Sequence, residues 1–180
     1  MENKVVKFIE KSHADFLYQH TQYICARVPT KTVDKAGIPN SHEFYSDAIG
    51  EAMLHFLMPK IEEEYGKKLC PTYSFWRQYY KGQILPFHDD RPSCEVSVTV
   101  NLGGKGGHDW PIIVDDKPYP MEIGEGVIYR GEDQIHGRHP LPYESHAQMF
   151  LHYIELDGKH YPEYKYDRRP GLYFKKKSPK

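Results

Sequence analysis

Between Cys94 and Leu102 the chain alternates without a break. Cys94, Val96, Val98, Val100 and Leu102 hold one parity, and Glu95, Ser97, Thr99 and Asn101 hold the other. A period of two belongs to a β-strand, whose successive side chains leave on opposite faces. The apolar face must be covered by something, whereas the polar face can meet water or line a cavity. The aromatic run Tyr73–Tyr80 precedes this strand. Shorter strand patterns follow it near Pro111–Val114, Tyr119–Ile123, Gly126–Arg130 and His146–Ile154, set apart by Gly, Pro and Asp clusters.

The first third has a different period. Ser12-His13-Ala14-Asp15 fits a capping box, and Phe16, Leu17, His20, Ile24 and Val28 follow at helical spacing. A second helix is expected from about Ser46 to Tyr65, with Ile49, Met53, Leu57, Ile61 and Tyr65 on one stripe. Pro59 should end or kink it, and Gly66 should stop it. The stretch from Val28 to Asn40 reads as a loop. Helices followed by short strands predict an α+β fold whose β region closes as an antiparallel jelly roll. The final stretch, Tyr161 to Lys180, is basic and aromatic and is expected to be a frayed, solvated tail.

Composition narrows the function classes. Twenty-four Lys and Arg against 25 Asp and Glu give a net charge of -1, which argues against a chain built mainly to neutralise phosphates. No run approaches the ~20 apolar residues of a membrane helix, and MENKVVKFIE lacks the apolar core of a signal peptide. Three widely spaced cysteines, Cys25, Cys70 and Cys94, suggest free thiols and a cytoplasmic setting. The chain is unusually rich in Tyr (15) and His (11), residue types that recur in polar ligand-holding cavities.

His88-Asp89-Asp90 is the most suggestive short motif. On an extended strand His88 and Asp90 share a face while Asp89 points away. An imidazole and a carboxylate so placed are two thirds of a 2-His-1-carboxylate facial triad, which leaves open positions on Fe(II). His136 is the candidate third ligand, on another extended segment. A hydrogen-bonded surface pair would explain His88 and Asp90 equally simply. His139, His152 and Cys94 match no structural zinc spacing, and Gly103–Gly107 lacks the helix and Lys-Ser/Thr of a phosphate loop.

Over residues 73 to 154 the order of pieces resembles the Fe(II)/2-oxoglutarate-dependent oxygenases, closest to the prolyl 4-hydroxylase-like branch. The matching pieces are Tyr80-Lys81-Gly82-Gln83, then His88 and Asp90, then the strand ending Val100-Asn101-Leu102. Gly124-Glu125-Gly126-Val127-Ile128-Tyr129, His136-Gly137-Arg138-His139-Pro140-Leu141 and the strand from His146 complete the series. The resemblance implies a double-stranded β-helix of the jelly-roll, cupin-like kind with the N-terminal helices packed on one sheet. Val96, Val98 and Val100 would lie under those helices, and Ser97, Thr99 and Asn101 would line the cavity. It implies one dioxygenase domain over 1–180: a helical N-terminal region over 1–69, a β-helix core over 70–156 and a basic tail over 157–180.

It further implies Fe(II) on His88, Asp90 and His136, with 2-oxoglutarate and O2 as co-substrates. Decarboxylation of 2-oxoglutarate to succinate and CO2 would drive hydroxylation of an unactivated C–H bond. A prolyl or other amino-acid-like group of a small molecule or peptide is the expected target, with no membrane or nucleic-acid partner. Asp90, where related halogenases lack the carboxylate, points to a hydroxylase. Tyr80, Asn101 and Gln148 are expected around the co-substrate. The branch usually has Lys or Arg about ten residues after the second histidine to grip the far carboxylate, but here that position is His146. His146 as an imidazolium and Arg138 are the expected clamps, with Arg130 the third choice. The alternatives are an oxidative nucleic-acid demethylase of the same superfamily and a non-catalytic cupin-like binding module.

Overall fold

In a computed structural model, which describes residues 2–30 and 38–174, the strands form two antiparallel sheets. The larger contains β1 (Lys4–Lys7), β2 (His42–Tyr45), β3 (Leu69–Tyr80), β5 (Val96–Lys105), β8 (Glu125–Tyr129) and β10 (Ser145–Glu155), in the order β1-β8-β5-β10-β3-β2. The smaller contains β4 (Leu85–His88), β6 (Ile112–Val114), β7 (Lys117–Tyr119) and β9 (His136–Arg138), in the order β4-β9-β6-β7. Among the described residues, no helix is long and apolar enough to cross a membrane.

The alternation in β5 sets the layers as expected. Val96, Val98, Val100 and Leu102 join one core cluster with Leu17 of α1 (Lys11–Cys25) and Leu54, Leu57 and Ile61 of α2 (Ala48–Tyr65). Ser97, Thr99 and Asn101 are also buried, on the opposite face. The strand is therefore interior on both sides. On β10 the same parity puts Ala147, Met149, Leu151 and Tyr153 in the helix-side core. Phe150 and His152, of the other parity, line the cavity between the sheets.

The helices differ from expectation at their ends. α1 starts at Lys11, its N-cap is Glu10 without a side-chain cap, and no capping box forms at Ser12. The chain is already anchored upstream, where the Phe8 and Ile9 amides both donate to Gly124 O. α1 ends at Cys25 and not at Val28. α2 runs through Pro59 to Tyr65. Pro59 lies on the exposed side, where water can satisfy the carbonyl it leaves unpaired. Gly66 then closes the helix in the left-handed conformation, as expected. β1 and β2, in the region read as helical, are short edge strands stabilised by pairing with β8 and β3. Some of the loop expected between Val28 and Asn40 lies outside the described residues.

The C-terminal segment is not a solvated tail over its described length. Arg169 and Glu51 form a fully buried ion pair of 2.5 Å, and Asp167 is buried against the loop after β4. Residues 175–180 lie outside the described residues.

One carboxylate ties the helices to the large sheet. Asp47 Oδ1 accepts from the Gly50 amide and from Trp76 Nε1, both at 2.7 Å, and its Oδ2 lies 3.0 Å from His20 Nε2. Gly50 is required here because a Cβ would sit 2.3 Å from Trp76 Nε1. Replacing Asp47 removes a helix cap and strands a buried indole N–H, together about 2–4 kcal/mol. Asp47→Ala should lower the urea midpoint accordingly, and an unchanged midpoint would show that Asp47 does not anchor the helices.

Candidate metal centre

β4 and β9 are neighbours in the small sheet, and their register sets His88 directly opposite His136. The two rings lie 4.5 Å apart between centroids. Asp90 follows β4, with its amide donating to Gly131 O at 2.8 Å. A Cβ on residue 131 would come within 2.5 Å of both Asp90 Oδ2 and Ser97 Oγ, so only glycine leaves room for the carboxylate. Asp90 Oδ1 is 3.6 Å from His88 Nε2, and Oδ2 is 3.6 Å from His136 Nε2. One ligand atom from each of the three residues lies within 4.8 Å of the others.

The second contacts of these rings fix their tautomers. His88 Nδ1 is 2.6 Å from Pro86 O and His136 Nδ1 is 2.9 Å from Gln134 O. A carbonyl can only accept, so each neutral ring carries its proton on Nδ1 and turns a bare Nε2 lone pair toward Asp90. The Asp90 carboxylate beside it holds His88 above its ordinary value, while burial pushes His136 down. For Asp90, burial works upward but is outweighed by His88, His152 and His136, leaving the carboxyl below its ordinary value. Two imidazole Nε2 atoms and a carboxylate held toward its ionised form converge. This N2O donor set fits a divalent transition ion with open positions.

A cavity of about 140 Å³ adjoins the three residues. β3 supplies Tyr73, Phe75, Arg77 and Tyr79 to its wall, β8 supplies Tyr129, and β10 supplies Phe150 and His152. The parity of β3 therefore presents Tyr79 to the cavity, not Tyr80. The Tyr80 hydroxyl instead pairs with His42 Nδ1 at 2.7 Å, and the residue lines a separate hollow with Lys81 and Gln83. Asn101 is committed to the backbone: its amide nitrogen donates to Met121 O at 2.8 Å and its oxygen accepts from the Gly103 amide.

The three expected clamps separate cleanly. Arg130 lies away from the cavity, held by Glu155 and Asp133, each at 2.9 Å, and by Tyr65. His146 is fully buried, and burial, reinforced by the nearby Arg138 charge, pushes it down to about 3. Burial therefore works against the imidazolium expected there. Arg138 is also fully buried, donates to Trp110 O and to Thr99 Oγ1 (3.3 Å), and lies 4.9 Å over the Trp110 ring. Among the described residues its hydrogen bonds go to a carbonyl and a hydroxyl and to no carboxylate, and its Nε has no partner. Burial lowers it to about 10, while the hydroxyls of Tyr79 and Tyr129 in the cavity wall act in its favour.

The polar groups around Arg138 form a directed series. Arg138 donates to Thr99 Oγ1, Thr99 donates to Gln148 Oε1 at 3.0 Å, and Gln148 Nε2 reaches His146 Nε2 at 2.6 Å. This order leaves the proton of neutral His146 on Nδ1, which also has no partner. Two orphan donors and an unbalanced guanidinium are buried together, two residues along β9 from His136. Such a cluster lacks an acceptor, which an anion would supply.

Sequence spacing does not connect Cys94 and His152 with Asp90, yet their ligand atoms also come within 4.8 Å of one another. Each is hydrogen-bonded already, Cys94 Sγ to Tyr73 OH at 3.0 Å and His152 Nδ1 to Ser97 Oγ at 2.9 Å. His139 stands apart, edge-on to Phe87. The cavity aromatics are legible in the sequence only as a strand pattern. Their inward parity follows once Tyr73 is placed facing in.

No protein-family model and no curated protein matches the sequence. Solved structures do. A prolyl-4-hydroxylase from Pseudomonas putida aligns with a TM-score of 0.65 at 14% identity, covering 85% of this chain and 92% of that one. The viral collagen prolyl hydroxylase of Paramecium Bursaria Chlorella virus-1, in its 2-oxoglutarate complex, gives 0.61 at 10%, covering 85% and 96%. HygX from Streptomyces hygroscopicus, with nickel and 2-oxoglutarate bound, gives 0.64 at 10%, covering 86% and 83%. The fold is that of the 2-oxoglutarate–iron(II) oxygenases. The expected double-stranded β-helix is therefore present, with both N-terminal helices on the larger sheet.

The buried histidines carry a stability consequence. Burial holds His146 near 3 and His152 at about 4, whereas an unfolded histidine takes up a proton near 6.5. Their contribution is complete above pH ~6.5 and is lost as the pH falls, at ~1.4 kcal/mol per unit each, or about 2 kcal/mol each by pH 5. Unfolding free energy measured from pH 7 to 5 should drop with this slope, and His146→Gln should remove one proton's share. A slope unchanged by that substitution would mean that His146 is protonated in the folded chain.

Proposed function

We propose that the chain is a non-haem iron(II) and 2-oxoglutarate-dependent dioxygenase that hydroxylates an unactivated C–H bond. The observation that carries this reading is the pairing of an N2O donor triad with a buried cluster of donors, around Arg138 and His146, that is short of an acceptor. Those are the two halves of a site for a metal-chelating dicarboxylate. His88, Asp90 and His136 would hold Fe(II), which when bound supplies the oxidising chemistry with O2. Pro86 O and Gln134 O keep both Nε2 atoms presented to it. Arg138 would grip the far carboxylate of 2-oxoglutarate. Thr99, Gln148 and neutral His146 form the series that orients Arg138 and supplies a further N–H. Tyr73, Phe75, Tyr79, Tyr129 and Phe150 would exclude water from the reacting face.

The two prolyl hydroxylases of like fold favour a prolyl or other amino-acid-like group, in a small molecule or a peptide, as the oxidised target. The three free cysteines suit a reducing, cytoplasmic setting. Among the described residues of the C-terminal segment, several cations already have carboxylate partners. Arg168 pairs with Glu163, Lys159 with Glu132 and Arg169 with Glu51.

Two measurements test the proposal. Protein loaded anaerobically with Fe(II) and 2-oxoglutarate should release succinate on admission of air, and Asp90→Ala should abolish that release while keeping its circular dichroism. No succinate from the unmodified chain would favour a cupin-like binding module. Arg138→Gln should raise KM for 2-oxoglutarate roughly 10–100-fold, the worth of one charge-assisted contact. An unchanged KM would move the clamp to another residue.

A further inference from the structure

We propose that the C-terminal segment 161–174 is a strap that sets the affinity of the metal centre, with Asp167 as its positioning residue. The inference rests on the reading of His88, Asp90 and His136 as metal ligands. Asp90 leads directly into Arg91, Pro92, Ser93 and Cys94, a loop with one short turn of 3-10 helix. Asp167 is 1% exposed and grips this loop from outside the barrel. Arg91 meets it with two prongs, Nη1 to Oδ1 at 2.5 Å and Nη2 to Oδ2 at 3.0 Å. Ser93 Oγ donates to Oδ1 at 2.7 Å, and the Tyr45 hydroxyl donates to Oδ2 at 2.5 Å. One carboxylate therefore joins β2, the ligand loop and the strap.

The grip reaches the cavity. The Arg91 guanidinium lies 4.6 Å over the ring of Tyr73, a cavity-wall residue whose hydroxyl meets Cys94 Sγ. On the other side, Thr72 Oγ1 donates to Ser93 O at 2.7 Å, and Arg169 Nη2 donates to Thr72 O at 2.9 Å. Arg169 is itself locked to Glu51 of α2. The ligand loop is thus clamped between β3 and the strap at both Arg91 and Ser93.

The strap's own backbone is bent to make this contact. Tyr166, Asp167 and Arg168 have φ of 51, 53 and 61, three consecutive non-glycine residues in the left-handed region. That conformation is unfavourable for side chains with a Cβ and persists only where surrounding contacts over-determine it. Here those contacts are the four donors around Asp167 and the buried pair at Arg169. A metal ligand held by such outer contacts loses affinity when they are cut, typically 10–100-fold.

The test is binding of Co(II) to the full chain without co-substrate, by titration and by its visible absorption. Asp167→Asn should keep the circular dichroism, bind Co(II) about 10–100-fold more weakly and shift the cobalt spectrum. Arg168→Ala, on the same strap but paired only with Glu163 and Tyr164, should leave both unchanged. If Asp167→Asn does not fold, Ser93→Ala and Tyr45→Phe each remove one donor from the same carboxylate and should each weaken cobalt binding. A strap of purely structural importance would lower the melting temperature and leave cobalt affinity and spectrum as in the unmodified chain, which overturns the inference. If the unmodified chain binds no cobalt, the metal-centre reading fails, and the inference falls with it.

Discussion

The register between β4 and β9 is the constraint on which the rest depends. Side-chain direction alternates with every residue, so a slip of one would swing His136 away from His88 and Asp90. β9 spans three residues, too few to hold a register alone. It is pinned from both sides, by His88 opposite His136 and by Val114 of β6 opposite the same residue. The turn before it is fixed by Asp115, whose Oδ1 accepts from the Ile135 amide at 3.1 Å and whose Oδ2 accepts from Gln134 Nε2 at 2.8 Å. The small sheet can be short because the large one, with two helices packed on its back, supplies the rigid wall.

The barrel breaks ordinary rules of burial where the chemistry is proposed. Ser97, Thr99, Gln148, His146, His152 and Arg138 occupy positions that a purely structural sheet would fill with apolar side chains. Most are satisfied by one another, but the Arg138 Nε and His146 Nδ1 donors are not. Native interiors rarely tolerate such orphans, each costing about 1–3 kcal/mol, unless a ligand completes them. Strain and unmet polarity gather at the cavity and at the strap beside it. The helix-side core is mostly apolar, apart from the buried pair of Glu51 and Arg169.

The β5 alternation places the helices, the core and the polar interior, because a strand covered on both faces keeps a strict period. The metal triad is legible for the same reason: His88 and Asp90 share a face by spacing, and His136 sits on an extended segment. Tyr80 misses the cavity by one residue, an error that parity makes total on a strand. Asn101 has the right parity, but its amide is consumed by backbone groups at a strand end, which no pattern reveals. β1 and β2 contain four residues each and owe their existence to the partners beside them. The strap reads as a solvated tail because its charges are dense. Their partners, Arg91 and Glu51, lie far away in the chain, and burial of that kind leaves no local mark.

His146 shows most clearly why position along a chain is a weak guide to role. It stands where a cation is expected, but desolvation in this barrel favours the uncharged ring, and the neighbouring Arg138 repels a second proton. Arg138 faces the same desolvation and stays charged, since a guanidinium starts some six units higher than imidazole. Arg138 on β9 and His146 on β10 belong to different sheets. Thr99 and Gln148 bridge that gap, linking Arg138 to His146 through three hydrogen bonds. The cluster holds one positive charge and a line of donors, and at about 10 the guanidinium stays charged near neutral pH. An acceptor bound there would meet the same charge at pH 5 as at pH 8.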